Sequence, residues 1–536
     1  MTTINEYQAA AGPLPDTYKG WQIHGAGFEN FGVGDQPEAL QLRDPKDNEI
    51  VLRSDAVGLC QSDIKIIAQG NSHARLRGRD LKSEPTVLGH ECAVTVVKVG
   101  ANYKDRFKPG DRFIVQADIY YKGFNYAFGY LIPGGLQQYT YLDERALDGD
   151  EGCYLLPVKD ETGYSQSALS EPWACVEMSY NVQQRLEPTG ESQLIVADDP
   201  TPYQKLAPKA KAVPRSLEGL SDEERFDDIF LPQPTPALVS ALGTRLNNHG
   251  IVFLLGEAAE DGPTTLDIGR IHYQGVRFYG GGADMDAIKR ANERYDLLPG
   301  GDALFIGSGG PMGQMHVQRA IEVDNRPKRV VVTDLDRARL DHIVDSFGDL
   351  AKRQGVELYT FAPSEFPDQA AMDAKIKSIA PGGYSDIIVM APVAGLVTDS
   401  LQFAAGQALV NIFAGVGVGN TAEAPLHALC RGVKLYGTSG SRISDMRKVL
   451  DMVEAAQLNT NMSVAAIGGL SAAKEGLKGV KEGWFPGKIV IYPQVLELPL
   501  TPIWEIPQQI PELKDKLGPN NIWTNEAEQA LLEMYA

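Results

Sequence analysis

The 536-residue chain reads as an α/β protein, an irregular β-rich domain joined to a parallel-sheet domain that carries a degenerate copy of half its own sheet. Three observations predict this. Residues 45–185 are short strands divided by Gly and Pro turns, such as Ala93 to Gly100 and Asp111 to Asp118 around Lys108-Pro109-Gly110; that pattern belongs to β structure. From about residue 190, apolar strand cores alternate with longer helical stretches, the pattern of a parallel sheet. Within that second region three blocks recur. Asp228-Ile-Phe-Leu-Pro-Gln-Pro runs parallel to Asp386-Ile-Ile-Val-Met-Ala-Pro, Gly250-Ile-Val-Phe-Leu-Leu-Gly to Ala408-Leu-Val-Asn-Ile-Phe-Ala-Gly, and Gly275-Val-Arg-Phe-Tyr-Gly to Gly432-Val-Lys-Leu-Tyr-Gly.

The bulk numbers narrow the function classes. A net charge of −20 repels nucleic acid and anionic lipid, so neither is an expected partner. No stretch approaches the roughly 20 apolar residues that span a bilayer. Residues 1–16 lack a basic start followed by an apolar run, so no signal peptide is expected and the cytoplasm is the expected location. The five cysteines, Cys60, Cys92, Cys153, Cys175 and Cys430, are odd in number and far apart, unlike a disulfide framework.

The first chemical signal is Ala303-Leu-Phe-Ile-Gly-Ser-Gly-Gly-Pro-Met-Gly-Gln-Met. An apolar strand enters a glycine-rich turn and a helix follows, which lets backbone N–H groups and the helix dipole meet a pyrophosphate. A second strand, Arg329-Val-Val-Val-Thr-Asp, ends on Asp334, about 20 residues past the last glycine, where the fingerprint wants an acid for the ribose 2′-OH. Gly307, Ser308, Gly310, Pro311, Met312, Gly313 and Asp334 are therefore the expected cofactor residues of a Rossmann domain. NAD is favoured, because Asp334 would repel a 2′-phosphate. The turn departs from the usual motif, with Ser308 at the usual first glycine or one residue inserted.

The second signal lies in three N-terminal segments: Gly58-Leu-Cys-Gln-Ser-Asp63, Gly89-His-Glu91 and Ser170-Glu-Pro-Trp-Ala-Cys175. They offer a thiolate, an imidazole and two carboxylates, and a catalytic zinc needs three or four such ligands and one exchangeable position. Taken singly, Cys60 and His90 would be core residues and Glu171 a helix cap; together they describe a metal site.

With these motifs, Lys108-Pro-Gly-Asp-Arg112, the Gly-Pro-Met-Gly turn and the Val-Val-Val-Thr-Asp-Leu strand, the chain resembles the zinc-dependent medium-chain dehydrogenase/reductase family. The resemblance is to its polyol (sorbitol-like) dehydrogenase or sorbose-phosphate reductase branch, and it covers roughly residues 35–200 and 300–495. It implies a GroES-like catalytic domain with Cys60, His90 and Glu171 as zinc ligands, Glu91 entering or leaving the coordination shell, and Ser62 opening a proton relay. It divides the chain into 1–190 (catalytic domain), 191–298 (degenerate Rossmann-like repeat), 299–440 (NAD-binding domain), 441–495 (return to the catalytic domain) and 496–536 (a C-terminal extension). The family often holds a second, structural zinc with four close cysteines. No cysteine lies between Cys92 and Cys153, so that site is not expected. Tyr120, Tyr121, Phe124, Tyr126, Phe128 and Tyr130 stand in its place.

The expected activity is hydride transfer between a secondary alcohol of a polyol or sugar, phosphorylated or not, and NAD, in a homo-oligomer. Arg75, Arg77 and Arg79, between Cys60 and His90, are candidate contacts for an anionic group on the substrate; the alternative is a solvated charged loop. Two other classes compete. A zinc-free enone or quinone reductase of the same fold would not need the Cys60, His90 and Glu171 set. A non-catalytic binding or scaffold protein is suggested by the repeat alone. The repeat itself is not expected to bind a dinucleotide, because Asp198-Asp-Pro200 stands where the glycines should be. It reads as an insert that widens the molecule, shields the cleft or builds a subunit contact.

Overall fold

The computed structural model of the chain describes residues 3–10, 12–182, 185–189 and 191–535. It divides into two compact units, residues 1–177 with 440–536, and residues 178–439.

After a short helix and three short strands, the main elements of the first unit are β1 (Glu49–Gly58), helix α1 (Gln61–Gln69), β2 (Glu91–Val99), β3 (Arg112–Val115), β4 (Tyr139–Asp143), β5 (Leu155–Pro157) and helices α2 (Tyr164–Ala168) and α3 (Ser170–Ser179). β1 is buried along its whole length. β1, β2 and β3 pair antiparallel in sequence, β5 extends the β3 edge, and β4 also pairs with β1.

The second unit holds two parallel sheets. The first is built from β6 (Gln193–Val196), β7 (Lys211–Val213), β8 (Phe226–Leu231), β9 (Leu246–Leu255) and β11 (Arg277–Gly282), in the order β7-β6-β8-β9-β11. β10 (Pro263–Asp267) and helix α4 (Ile268–Tyr273) lie between β9 and β11 in the chain. The second sheet is built from β12 (Asp302–Ile306), β13 (Arg329–Thr333), β14 (Glu357–Phe361), β15 (Tyr384–Val389), β16 (Ala404–Ile412) and β18 (Lys434–Tyr436), in the order β14-β13-β12-β15-β16-β18. Helices α5 (Pro311–Glu322) and α6 (Arg337–Gln354) follow β12 and β13; β17 (Thr421–Pro425) and α7 (Leu426–Cys430) separate β16 from β18. Both sheets are Rossmann-like, and their continuous apolar strands are those of sheets covered on both faces.

The two sheets share a frame that reaches further back than the three sequence blocks. Arg185 pairs with Asp228 and Arg294 with Asp386. Each arginine also donates to the carbonyl before its aspartate, Asp227 or Ser385, and to His249 or Gln407. The same carboxylates accept from the backbone N–H of Thr189 (2.7 Å) and Leu298 (3.1 Å). The first sheet thus contains an opening strand, β6, and a three-residue outer strand, β7. What it lacks is a counterpart of α5, whose place holds a short 3-10 turn at Thr201–Tyr203.

The chain returns to the first unit with β19 (Val464–Gly469), β20 (Lys488–Tyr492), β21 (Thr501–Pro502) and helix α8 (Asn525–Tyr535). β20 pairs with β1 and inserts the last strands into the first sheet. The C-terminal segment contributes to the core. Trp523, Leu531 and Leu532 are buried with Tyr164, Leu169 and Tyr492, and each such aliphatic side chain contributes about 1.5–3 kcal/mol. Among the described residues no helix is long and apolar enough to cross a membrane.

Candidate functional site

In the first unit, β1 ends at Gly58 and Cys60 is the N-cap of α1. Asp63, three residues on, turns back to accept from the Cys60 N–H at 3.1 Å. Its other carboxylate oxygen accepts from the Gly89 N–H at 3.3 Å and lies 3.5 Å from Nδ1 of His90. One carboxylate therefore fixes the strand-to-helix turn and the entry to β2 that carries His90 and Glu91. Gly58 is required by closeness, since a Cβ there would overlap the Glu91 carboxylate.

Cys60, His90 and Glu91 offer Sγ, an imidazole nitrogen and a carboxylate oxygen that all lie within 4.8 Å of one another. Ser62 Oγ lies 3.1 Å from Cys60 Sγ and 3.4 Å from His90 Nε2. Oε1 of Glu91 accepts from the buried ammonium of Lys488 at 2.6 Å, while Oε2 is buried without a hydrogen-bond partner. This donor set, with an unsatisfied carboxylate oxygen in its midst, suits zinc.

Glu171, in the first turn of α3, is buried beside this group and contributes no atom to it. Burial pushes its carboxyl up to about 7; Glu91 and Asp118 add to the rise, and His90 and Lys488 oppose it. Burial opposes charge on His90, yet its contacts with Asp63 and Cys60 hold its pKa well above the usual histidine value. Cys175 is shifted far up, by burial first and then by Glu171, Asp118 and Cys60. That makes it a neutral thiol beside the group.

The arginine loop divides. Arg79 donates to the carbonyls of Tyr130 and Leu131 at 3.2 and 3.0 Å, which is a structural role. Arg77 lies over the Phe124 ring. Arg75 pairs with Asp118 at 3.0 Å and faces Tyr130, whose ring centroid is 6.0 Å from that of His90. Tyr130 alone of the aromatic segment thus links an arginine to the candidate ligands.

The N-terminus of α2 is held from the far end of the chain. Both carboxylate oxygens of Glu528 accept backbone N–H groups, from Tyr164 at 2.6 Å and Ser165 at 2.7 Å. That fixes the helix whose continuation carries Glu171. Asp63, Asp118, Lys488 and Glu528 were not among the expected site residues. Only Asp63 had a local signal, the C-x-x-D spacing of a capping box.

The second unit contains the glycine turn. Gly307 has φ +69°, Gly310 is the N-cap of α5, and Pro311 takes N1, where its missing N–H costs nothing. A Cβ on Gly313 would lie 2.5 Å from the Ser308 Cα, so the turn needs glycine there to close on the helix. Met312 follows Pro311 in the first turn of the helix. The Ser308 hydroxyl is buried without a hydrogen-bond partner. Oδ2 of Asp334 accepts from the Gly309 N–H at 2.7 Å, so the acid at the end of β13 is fastened to the turn. Gly309 was not among the expected cofactor residues. Beside them a cavity of about 610 Å³ is lined by Gly307, Asp334, Pro363, Met372, Val393 and Leu396 among others, a size and character suited to a nucleoside.

Comparison with known proteins agrees with both halves. Residues 46–148 match the alcohol dehydrogenase GroES-like domain. Over 514 residues the chain is 24% identical to mannitol-1-phosphate 5-dehydrogenase of Aliivibrio fischeri, covering 93% of this chain and 95% of that one. It is 23% identical to L-sorbose 1-phosphate reductase of Klebsiella pneumoniae over 92% and 94% of the two chains. A shorter stretch of 97 residues is 38% identical to human sorbitol dehydrogenase, 23% of that protein. The chain is similar to the medium-chain dehydrogenases/reductases. The same fold is found in 2R,3R-butanediol dehydrogenase from Bacillus subtilis (TM-score 0.53, 15% identity, 89% of this chain and 99% of that one). Acetophenone reductase from Geotrichum candidum, solved with NAD, gives a TM-score of 0.51 at 16% identity over 90% and 99%.

Proposed function

We propose that this chain is a zinc-dependent dehydrogenase that transfers a hydride between a secondary alcohol of a polyol or ketose and NAD. The observation that carries it is the convergence of Cys60, His90 and Glu91 within 4.8 Å, with Ser62 against two of them. A zinc-free reductase would have no use for that set.

When bound, zinc supplies the Lewis acid and NAD the hydride acceptor. Cys60, His90 and Glu91 would hold the metal, with Glu171 available beside them. Ser62 takes the alcohol proton and passes it outwards, and returns it in ketone reduction. Lys488 and Asp63 hold Glu91 and His90 in orientation. Asp334 accepts the ribose diol while keeping the glycine turn closed, and Gly307, Ser308, Gly310, Pro311, Met312 and Gly313 cradle the pyrophosphate. Residues 191–298 carry no such turn, and the cofactor belongs to 299–440.

A phosphorylated substrate is favoured over a neutral one. The long relatives act, by their names, on mannitol 1-phosphate and sorbose 1-phosphate. Arg75, one aromatic ring from His90, is a cation suited to an anionic group. A panel of polyols, ketoses and their phosphates, read by NADH absorbance in both directions, tests the reading. Turnover of a sugar phosphate above its neutral analogue supports it; turnover of enones or quinones alone overturns it.

A further inference from the structure

The two sheets of the second unit meet along a symmetric seam. β10 and β17 hold the same place in the two copies, each after a long strand and before a short helix. They pair antiparallel with each other, Pro263 opposite Pro425, Thr265 opposite Glu423 and Asp267 opposite Thr421. Thr265 and Glu423 are 158 positions apart, as are the counterparts Asp228 and Asp386. The central residue of the seam therefore faces its own counterpart. That happens only at a two-fold axis, where residue i meets j and j meets i. Thr265 Oγ1 donates to Glu423 Oε1 at 2.8 Å on this axis.

The surroundings follow the same symmetry. α7 of the cofactor copy packs on β11 of the half-repeat, α4 of the half-repeat packs on β18, and β11 runs beside β18. The approach is close, since a Cβ on Gly280 would overlap the Leu429 carbonyl and one on Gly269 the Gly417 carbonyl. The half-repeat keeps the strands that build this seam and has lost the glycine turn.

We infer that the half-repeat takes the place of a second subunit, so that a two-fold subunit interface is carried inside one chain and the partner this face fits is already attached. The seam does more than cover an edge. Nδ1 of His272, on α4, is 2.9 Å from the Ile412 carbonyl at the end of β16. A Cβ on Gly415 would run into the Tyr273 hydroxyl. These contacts brace the loop at the carboxyl end of the sheet, the end at which open α/β sheets bind ligands. The half-repeat thereby supports a binding loop without a cofactor turn of its own.

The test uses cysteines on the axis of the full chain. Facing residues of an antiparallel pair have Cα atoms about 4.5–5.5 Å apart, within disulfide reach. Oxidised Thr265→Cys/Glu423→Cys protein is expected to give one species of single-chain mass on a non-reducing gel, with peptides 265 and 423 joined in its mass spectrum. Glu423→Cys alone is expected to give no covalent dimer, because in a true dimer through β17 that residue would face itself. A covalent dimer from either variant, or no 265–423 bond in a double variant with the wild-type circular dichroism, overturns the inference. Amide exchange on the unmodified chain serves if the variants misfold. β10 and β17 should be protected together, and a freely exchanging β17 would contradict the seam.

Discussion

The Lys488 ammonium sits 2.6 Å from Oε1 of Glu91, and both side chains are buried. Lys488 also donates to the Leu59 carbonyl at 2.8 Å, so one cation joins β20 to the turn that carries Cys60. Removing one partner of a buried pair leaves an uncompensated charge and costs about 3–5 kcal/mol. Lys488→Met should lower the thermal unfolding midpoint by several degrees, and adding Glu91→Gln should recover most of the loss. A Lys488→Met protein as stable as the parent would remove this pair from the account.

This residue also marks where sequence reasoning stops. Cys60, Ser62, His90 and Glu91 were legible because each sits in a short segment whose residue types state their chemistry. Lys488 lies 397 positions from Glu91, and Glu528 lies 364 from Tyr164. Strand pairing and helix packing join them, and no local spacing announces that. The repeat was legible from Asp228 onward because strand cores keep their apolar pattern at a fixed offset. The matching arginines before it were hidden because Arg185 and Arg294 stand only 109 positions apart, the helix and strands between being reduced in the first copy. The C-terminal segment, rich in Pro and charge, hid a core carried by Trp523 and the apolar face of α8.

Asp334 holds both the Gly309 N–H and, through Oδ1 at 3.0 Å, the Asp336 N–H. Asp334→Ala should raise the KM for NAD roughly tenfold or more, the loss of about 1.5–3 kcal/mol for a charge-assisted bond. It should also narrow the gap to NADP. Steady-state kinetics with both cofactors checks this; a parent enzyme that prefers NADPH would show the acid misassigned.

The arginines of residues 75–79 should separate by role. Arg75→Ala should raise KM for a phosphorylated substrate far more than for its neutral analogue, since loss of a buried charge contact costs about 2–5 kcal/mol. Arg79→Ala should instead lower the unfolding midpoint, because its bonds go to backbone carbonyls. Equal effects of Arg75→Ala on both substrates would remove Arg75 from the substrate site.

Calorimetric titration with NADH should give one site per chain. Gly313→Val should abolish it, because the side chain has no room against Ser308. Two sites per chain, or a site that survives this change with the fold intact, would place a cofactor in the half-repeat.

The central claim is that Cys60, His90 and Glu91 hold a metal needed for turnover. The direct measurement is metal content and NAD-linked polyol oxidation of one preparation, before chelation, after it and after zinc is restored. The account predicts about one zinc per chain, no turnover without it, recovery on reloading, and a largely unchanged circular dichroism, since the core does not rest on the metal. Full activity in protein shown to be metal-free would contradict it.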